Sequence, residues 1–150
     1  MRRFLLITLF TVIVLSALAA CAPAANKSDG GMDMSKLKMA PLSQMPADVQ
    51  KASKTTQDAY RFAVLNPDIM KNIPCYCGCG GMGHTSNYSC YVSDDAGGKI
   101  TYDSHALGCS ICVDITQDAM RMTSQGKTVK EIRTYIDATY AKYGPSNMSE

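Results

Sequence analysis

The chain has no clustered basic face, no phosphate loop, no Ser/His/Asp arrangement and no pair of carboxylates placed for acid–base work. Each gap removes a class of function. Without a basic cluster there is no footprint for binding nucleic acid through counterion release. The charge count agrees: 15 Lys and Arg stand against 13 Asp and Glu over 150 residues, and Arg2 and Arg3 lie at the extreme N-terminus, so the remainder is balanced. No Cys-x-x-Cys is followed by His, which excludes c-type haem attachment. No βαβ pattern precedes Cys109-x-x-Cys112, which separates it from the thioredoxin-like dithiol and makes a thiol oxidoreductase the minority reading. Asp94-Asp95 sits among turn residues and reads as solvated. The expectation is a protein that binds, not an enzyme.

Thiols are what the chain does have. Pro74-Cys75-Tyr76-Cys77-Gly78-Cys79-Gly80-Gly81 concentrates three cysteines in five residues between glycines, which can take positive φ and fold the backbone back on itself. Cys75, Cys77 and Cys79 can thereby face one point, as on a ligand-bearing loop. Further on come His84, Cys90, His105, Cys109 and Cys112. Six thiols and both imidazoles of the chain make eight soft or borderline donors, enough for two tetrahedral sites or one polynuclear thiolate cluster, with Cu(I) slightly ahead of Zn(II).

Hydrophobic periodicity supplies the frame. Pro46 to Leu65 reads as one amphipathic helix, with Val49, Ala52, Thr56, Ala59, Tyr60, Ala63 and Val64 at helical spacing. Asn66-Pro67-Asp68 reads as the cap and first turn of a short helix leading to the thiol loop. Tyr88 to Val92 and Lys99 to Tyr102 could pair as a small hairpin. Cys109 to Cys112 opens a helix whose Cys112, Ile115, Ala119 and Met122 share a face, closed by Gly126. Thr128 with Glu131 forms a capping box, and Val129, Ile132, Ile136, Tyr140 and Tyr143 make the stripe of a last, scaffolding helix stopped by Gly144-Pro145. The fold class expected is a mostly α domain of three to four helices over 46–145, with a Cys/Gly-rich central loop region and a short hairpin.

The N-terminus reads as an export signal. A basic Met1-Arg2-Arg3, an apolar run from Phe4 to Ala17 and Leu18-Ala19-Ala20-Cys21 predict a signal peptide over 1–20 with a lipobox. The apolar run is short for a membrane-spanning helix, the alternative reading. Cys21 is then the lipidated first residue of a chain held to the extracytoplasmic face of the cell membrane. Residues 21–45 are small and polar and predict a flexible tether, within which Met32, Met34, Met39 and Met45 offer soft thioethers that suit Cu(I) or do nothing.

The heptapeptide Pro74 to Gly80, followed by Gly83-His84, Cys90, His105 and Cys109-x-x-Cys112, resembles the family of small bacterial lipoproteins characterised by a P-C-Y-C-G-C motif, over roughly Val49 to Tyr143. That resemblance implies an exported lipoprotein with a cysteine site. A weaker likeness is to the short C-x-C-G-x-G zinc knuckle, from which this chain departs by Cys79 in place of serine and a single Cys90 in place of a pair.

The main alternative is covalent. An exported domain meets oxidising conditions, and six cysteines outside the lipobox could form three disulfides that staple a small interaction domain. Cys-x-Cys-x-Cys crowds thiols for disulfides, whereas chelation requires crowding. The reading adopted is a lipid-anchored, extracytoplasmic protein that buffers, carries or senses Cu(I) or Zn(II), partnered by a metal transporter or chaperone. Cys75, Cys77 and Cys90 are expected on the loop side of the site and Cys109 and Cys112 on the helix side.

Overall fold

The computed structural model describes residues 31–148. The expected signal peptide, Cys21 and the start of the tether lie outside that range. The described residues form a mostly α unit with five helical segments, α1 (Ala47–Lys51), α2 (Lys54–Leu65), α3 (Pro67–Met70), α4 (Ser110–Ser124) and α5 (Val129–Tyr140), and one hairpin, β1 (Val92–Asp94) with β2 (Thr101–Tyr102). None of these helices is long and apolar enough to cross a membrane.

The single helix expected from Pro46 to Leu65 is two. Ala52 is extended, and the Ser53 hydroxyl accepts the Thr56 N–H at 3.3 Å. Serine satisfies an orphan donor at a helix start better than it tolerates a helix interior, so the chain breaks there and restarts as α2. Pro67 opens α3 as expected. Asn66 does not cap it; its side-chain amide donates instead to Phe62 O at 2.7 Å and Lys38 O at 2.9 Å.

In α4 the residues Cys112, Ile115, Ala119 and Met122 are all buried, and Gly126 at φ 75° ends the turn that follows. The Thr128–Glu131 capping box of α5 is formed. Its stripe stops one turn earlier than the sequence predicts: Ile132, Ile136 and Tyr140 are buried, whereas Tyr143 lies past the helix end and is half exposed. Helix α4 packs against both α2 and α5. Tyr60, Phe62, Met70, Ile115, Met120, Ile132 and Ile136 are fully buried among them, each large aliphatic or aromatic side chain contributing ~1.5–3 kcal/mol through removal from water.

The tether expected over 21–45 is packed from residue 32 onward. Leu37, Ala40 and Met45 are buried, and Met32 and Met39 lie against the core. Arg61 holds them through its backbone and its side chain: Ala40 N–H donates to Arg61 O at 3.0 Å and Arg61 Nε donates to Ala40 O at 2.7 Å. These contacts are too sparse to leave an apolar period in the sequence. Three of the four methionines noted there are thus committed to packing, and Met34 alone of them is exposed.

The hairpin forms later than expected. Tyr88–Cys90 is a 3₁₀ turn, and the ladder pairs Val92 with Tyr102 and Asp94 with Thr101 across an irregularity.

Candidate metal centre

Two glycines shape the loop that follows α3. Gly78 takes φ 85° between Cys77 and Cys79, and Gly83 takes φ 91° after the 3₁₀ turn Cys79–Met82. Both conformations are ones that L side chains seldom adopt, so the two residues set the reversals that bring three cysteines and then His84 inward. From the other side, the hairpin leads through Asp103 to the turn His105–Leu107, and Cys109 stands at the N-cap of α4 with Cys112 in its first turn.

These elements gather all eight expected donors. Sγ of Cys75 lies 3.4 Å from Sγ of both Cys77 and Cys112, Cys77 and Cys112 are 3.6 Å apart, and Cys109 is 3.1 Å from Cys112. Cys79 and Cys90 are 3.7 Å apart, and Cys77 Sγ is 3.5 Å from His105 Nε2. Two groups of four have all their donor atoms within 4.8 Å of one another: Cys77, His105, Cys109 and Cys112, and Cys79, His84, Cys90 and His105. Two trios, Cys75–Cys77–Cys79 and Cys75–Cys90–Cys112, tie the groups together. All six thiols are free. Their separations approach the ~3.8 Å between sulfurs around a tetrahedral ion with bonds of ~2.3 Å. The division expected between loop and helix sides is altered in one respect: Cys90 pairs most closely with Cys79, while Cys75 and Cys77 meet Cys112.

The fit to a metal rests on a nitrogen as well. The His84 side chain is nine-tenths buried, and its Nδ1 has no hydrogen-bond partner. Its Nε2 faces Asp103 Oδ2 at 3.6 Å. A ligating imidazole typically turns its second nitrogen to a carboxylate, so this orientation leaves Nδ1 as the coordinating atom. Asp103 is itself fixed, since its Oδ1 accepts the His105 N–H at 2.7 Å and its carbonyl accepts the Tyr60 hydroxyl at 2.8 Å. The His84 and His105 rings meet edge to face at 5.1 Å.

Electrostatics point the same way. The Cys112 thiol, and after it Cys90, bonds to Cys75 and holds its pKa far below the usual thiol range. The proton retained by Cys112 is bound more tightly for the same reason, the bond to Cys75. Burial raises Cys77 and Cys79. Ionising Cys77, Cys79 and Cys112 beside Cys75 is thus favoured by a positive charge among them, which a bound cation would supply.

Below the sulfurs lies a polar layer that the sequence did not reveal. The Tyr91 hydroxyl donates to Cys112 O at 2.8 Å and sits 2.7 Å from Thr116 Oγ1, which also accepts Asn87 Nδ2 at 2.9 Å. The Tyr60 ring meets Tyr91 edge to face at 4.9 Å. On the opposite side Asn147 brackets the motif, its Oδ1 accepting the Cys75 N–H at 2.7 Å and its own N–H donating to Cys75 O at 3.0 Å. Its Nδ2 reaches Cys79 Sγ at 3.6 Å. Helix α5 is more than scaffold here, because Asp137 accepts the Tyr76 hydroxyl at 2.6 Å. Asp103 had a local signal, a carboxylate two residues before a candidate ligand; Asn147 had none.

No curated protein and no solved structure matches the chain. A family model described as "Protein of unknown function with PCYCGC motif" matches residues 8–148, nearly the whole chain and all eight donors. The chain belongs to that family.

Proposed function

We propose that this protein is a lipid-anchored, extracytoplasmic binder of soft closed-shell metal ions, Cu(I) ahead of Zn(II), that buffers or carries them for a metal transporter or chaperone. One observation carries the reading: six thiols and two imidazoles from four separate segments meet in a single connected donor set. The excess of sulfur over nitrogen favours Cu(I). The near-tetrahedral sulfur separations and the carboxylate behind His84 favour Zn(II). The membrane and export parts of the reading rest on Leu18-Ala19-Ala20-Cys21, where the acyl chain would attach to Cys21.

The test is anaerobic purification of the full chain in detergent, with bound metal and free thiols measured together. The expected result is bound metal with the six cysteines after residue 74 titrating as thiols once it is stripped. A Cu(I) centre should then keep its ion against excess Zn(II). Metal-free protein whose six cysteines titrate as disulfides would overturn the proposal and leave the stapled interaction domain in its place.

A further inference from the structure

The two ends of the donor set are not equally accessible. Among Cys77, His105, Cys109 and Cys112, the first three are half buried; Cys75, Cys79 and Cys90 are buried, and His84 is nine-tenths buried. Cys109 also lines a surface cleft of about 340 Å³ with Ser53, Thr55, Thr56, Ser110 and Asp114. The Cys79 and Cys90 side chains are instead enclosed, with 1% and 0% of their surface exposed. Cys75 lies between the ends, 3.4 Å from Cys77 and Cys112 and within 4.8 Å of Cys79 and Cys90.

Resting on the metal-binding reading above, we infer that the cluster holds two ions of different exchangeability. An outer ion on Cys77, Cys109, Cys112 and His105 enters and leaves through the cleft at Cys109, and an inner ion on Cys79, Cys90 and His84 stays with the fold. Cys75 is placed to bridge the two. The outer ion is the cargo, because an incoming sulfur donor from solvent or from another protein can approach Cys109 while the other ligands still hold the ion. The metal–sulfur bond to Cys109 breaks as the bond to the new donor forms, with no change in oxidation state and no co-reactant. The inner ion is held by buried sulfurs, those of Cys79 and Cys90. Its nitrogen ligand is oriented by Asp103, whose carboxylate accepts the His105 backbone N–H and whose backbone carbonyl accepts the Tyr60 hydroxyl. The inner ion therefore cross-links the thiol loop to the turn Tyr88–Cys90 that precedes the hairpin, and His84 leans through Asp103 on the turn before α4.

The experiment uses the full chain in detergent, loaded anaerobically with Zn(II) and then mixed with excess chromogenic chelator. Two release phases of equal amplitude are expected, with rates about tenfold or more apart. Cys109→Ser should remove or accelerate the fast phase and leave the slow one. Thr55→Trp, which changes no donor, should fill the cleft and slow the fast phase several-fold at unchanged stoichiometry, and it keeps the inference testable if Cys109→Ser fails to fold. A single phase for all the bound metal, or a Thr55→Trp protein that releases as the parent does, would overturn the inequality of the two positions while leaving metal binding intact. Failure to bind Zn(II) or Cu(I) at all would remove the underlying reading and this one with it.

Discussion

The segment from Ile73 to Gly108 and the three helices α2, α4 and α5 reach order by opposite means. The helices bury hydrocarbon: Phe62, Ile115, Ile132 and Ile136 are fully enclosed, and the helix ends are closed by local caps at Ser53 and Thr128. The segment buries heteroatoms. It has 3₁₀ turns and only four paired strand residues, and beside Ile73, Tyr76, Tyr91 and Val92 its interior holds Cys75, Cys79, Cys90, His84 and Asn87. Apolar packing does not respond to metal supply or redox state, whereas a set of thiols and imidazoles does. The one half should keep its shape when the other loses it.

The strongest way to break that comparison is to remove metal. Anaerobic chelation of the loaded protein should lower the melting temperature by more than about 10 °C and release amides of residues 75–109 to hydrogen exchange, while amides of α2 and α5 stay protected. A disulfide reductant alone should do neither. Equal loss of protection in both regions would show that the division is false.

A smaller effect comes from the layer that joins the halves. Thr116→Val removes the oxygen shared by Asn87 and Tyr91 under Cys112, and should cost about 1–3 kcal/mol in urea unfolding of the metal-loaded protein. A cost under ~0.5 kcal/mol would mean that the network joins nothing of consequence.

The smallest effect sharpens the comparison from the helical side. Glu131 is held down to about 2, from 4.5, first by the Thr128 backbone N–H and next by its hydroxyl. A carboxylate depressed in the folded state contributes stability above its unfolded pKa and loses it as pH falls, here between about 4.5 and about 2. Glu131→Gln should abolish that part of the pH dependence and raise exchange only in the first turn of α5. A side-chain NMR titration placing Glu131 at its ordinary value would contradict the capping geometry.

What could be read in the sequence follows from the range of the interactions. The Thr128–Glu131 box, Pro67 at the start of α3, Gly126 after α4 and the buried face of Cys112, Ile115, Ala119 and Met122 are all set within a few residues, and the structure has each of them. That the cysteines and histidines would gather was also legible, because they crowd between glycines in one short stretch and at the start of a helix. Long-range partners were not. Ala40 with Arg61, Asn66 with Lys38 and Asn147 with Cys75 are 21, 28 and 72 residues apart, and nothing near either member of a pair marks the other. Ser53 was a different miss: periodicity runs through it unbroken, and its capping hydroxyl outweighed the pattern.

The double hydrogen bond between Asn147 and Cys75 fixes an order of events. A ribosome makes residue 75 long before residue 147, so the motif spends part of its early life with the Cys75 amide and carbonyl open to water and its sulfurs uncovered. Metal captured during that interval would meet an unfinished pocket, without the residue that later closes over Cys75 and Cys79. The complete pocket requires residue 147, so on the metal-binding proposal loading follows its synthesis.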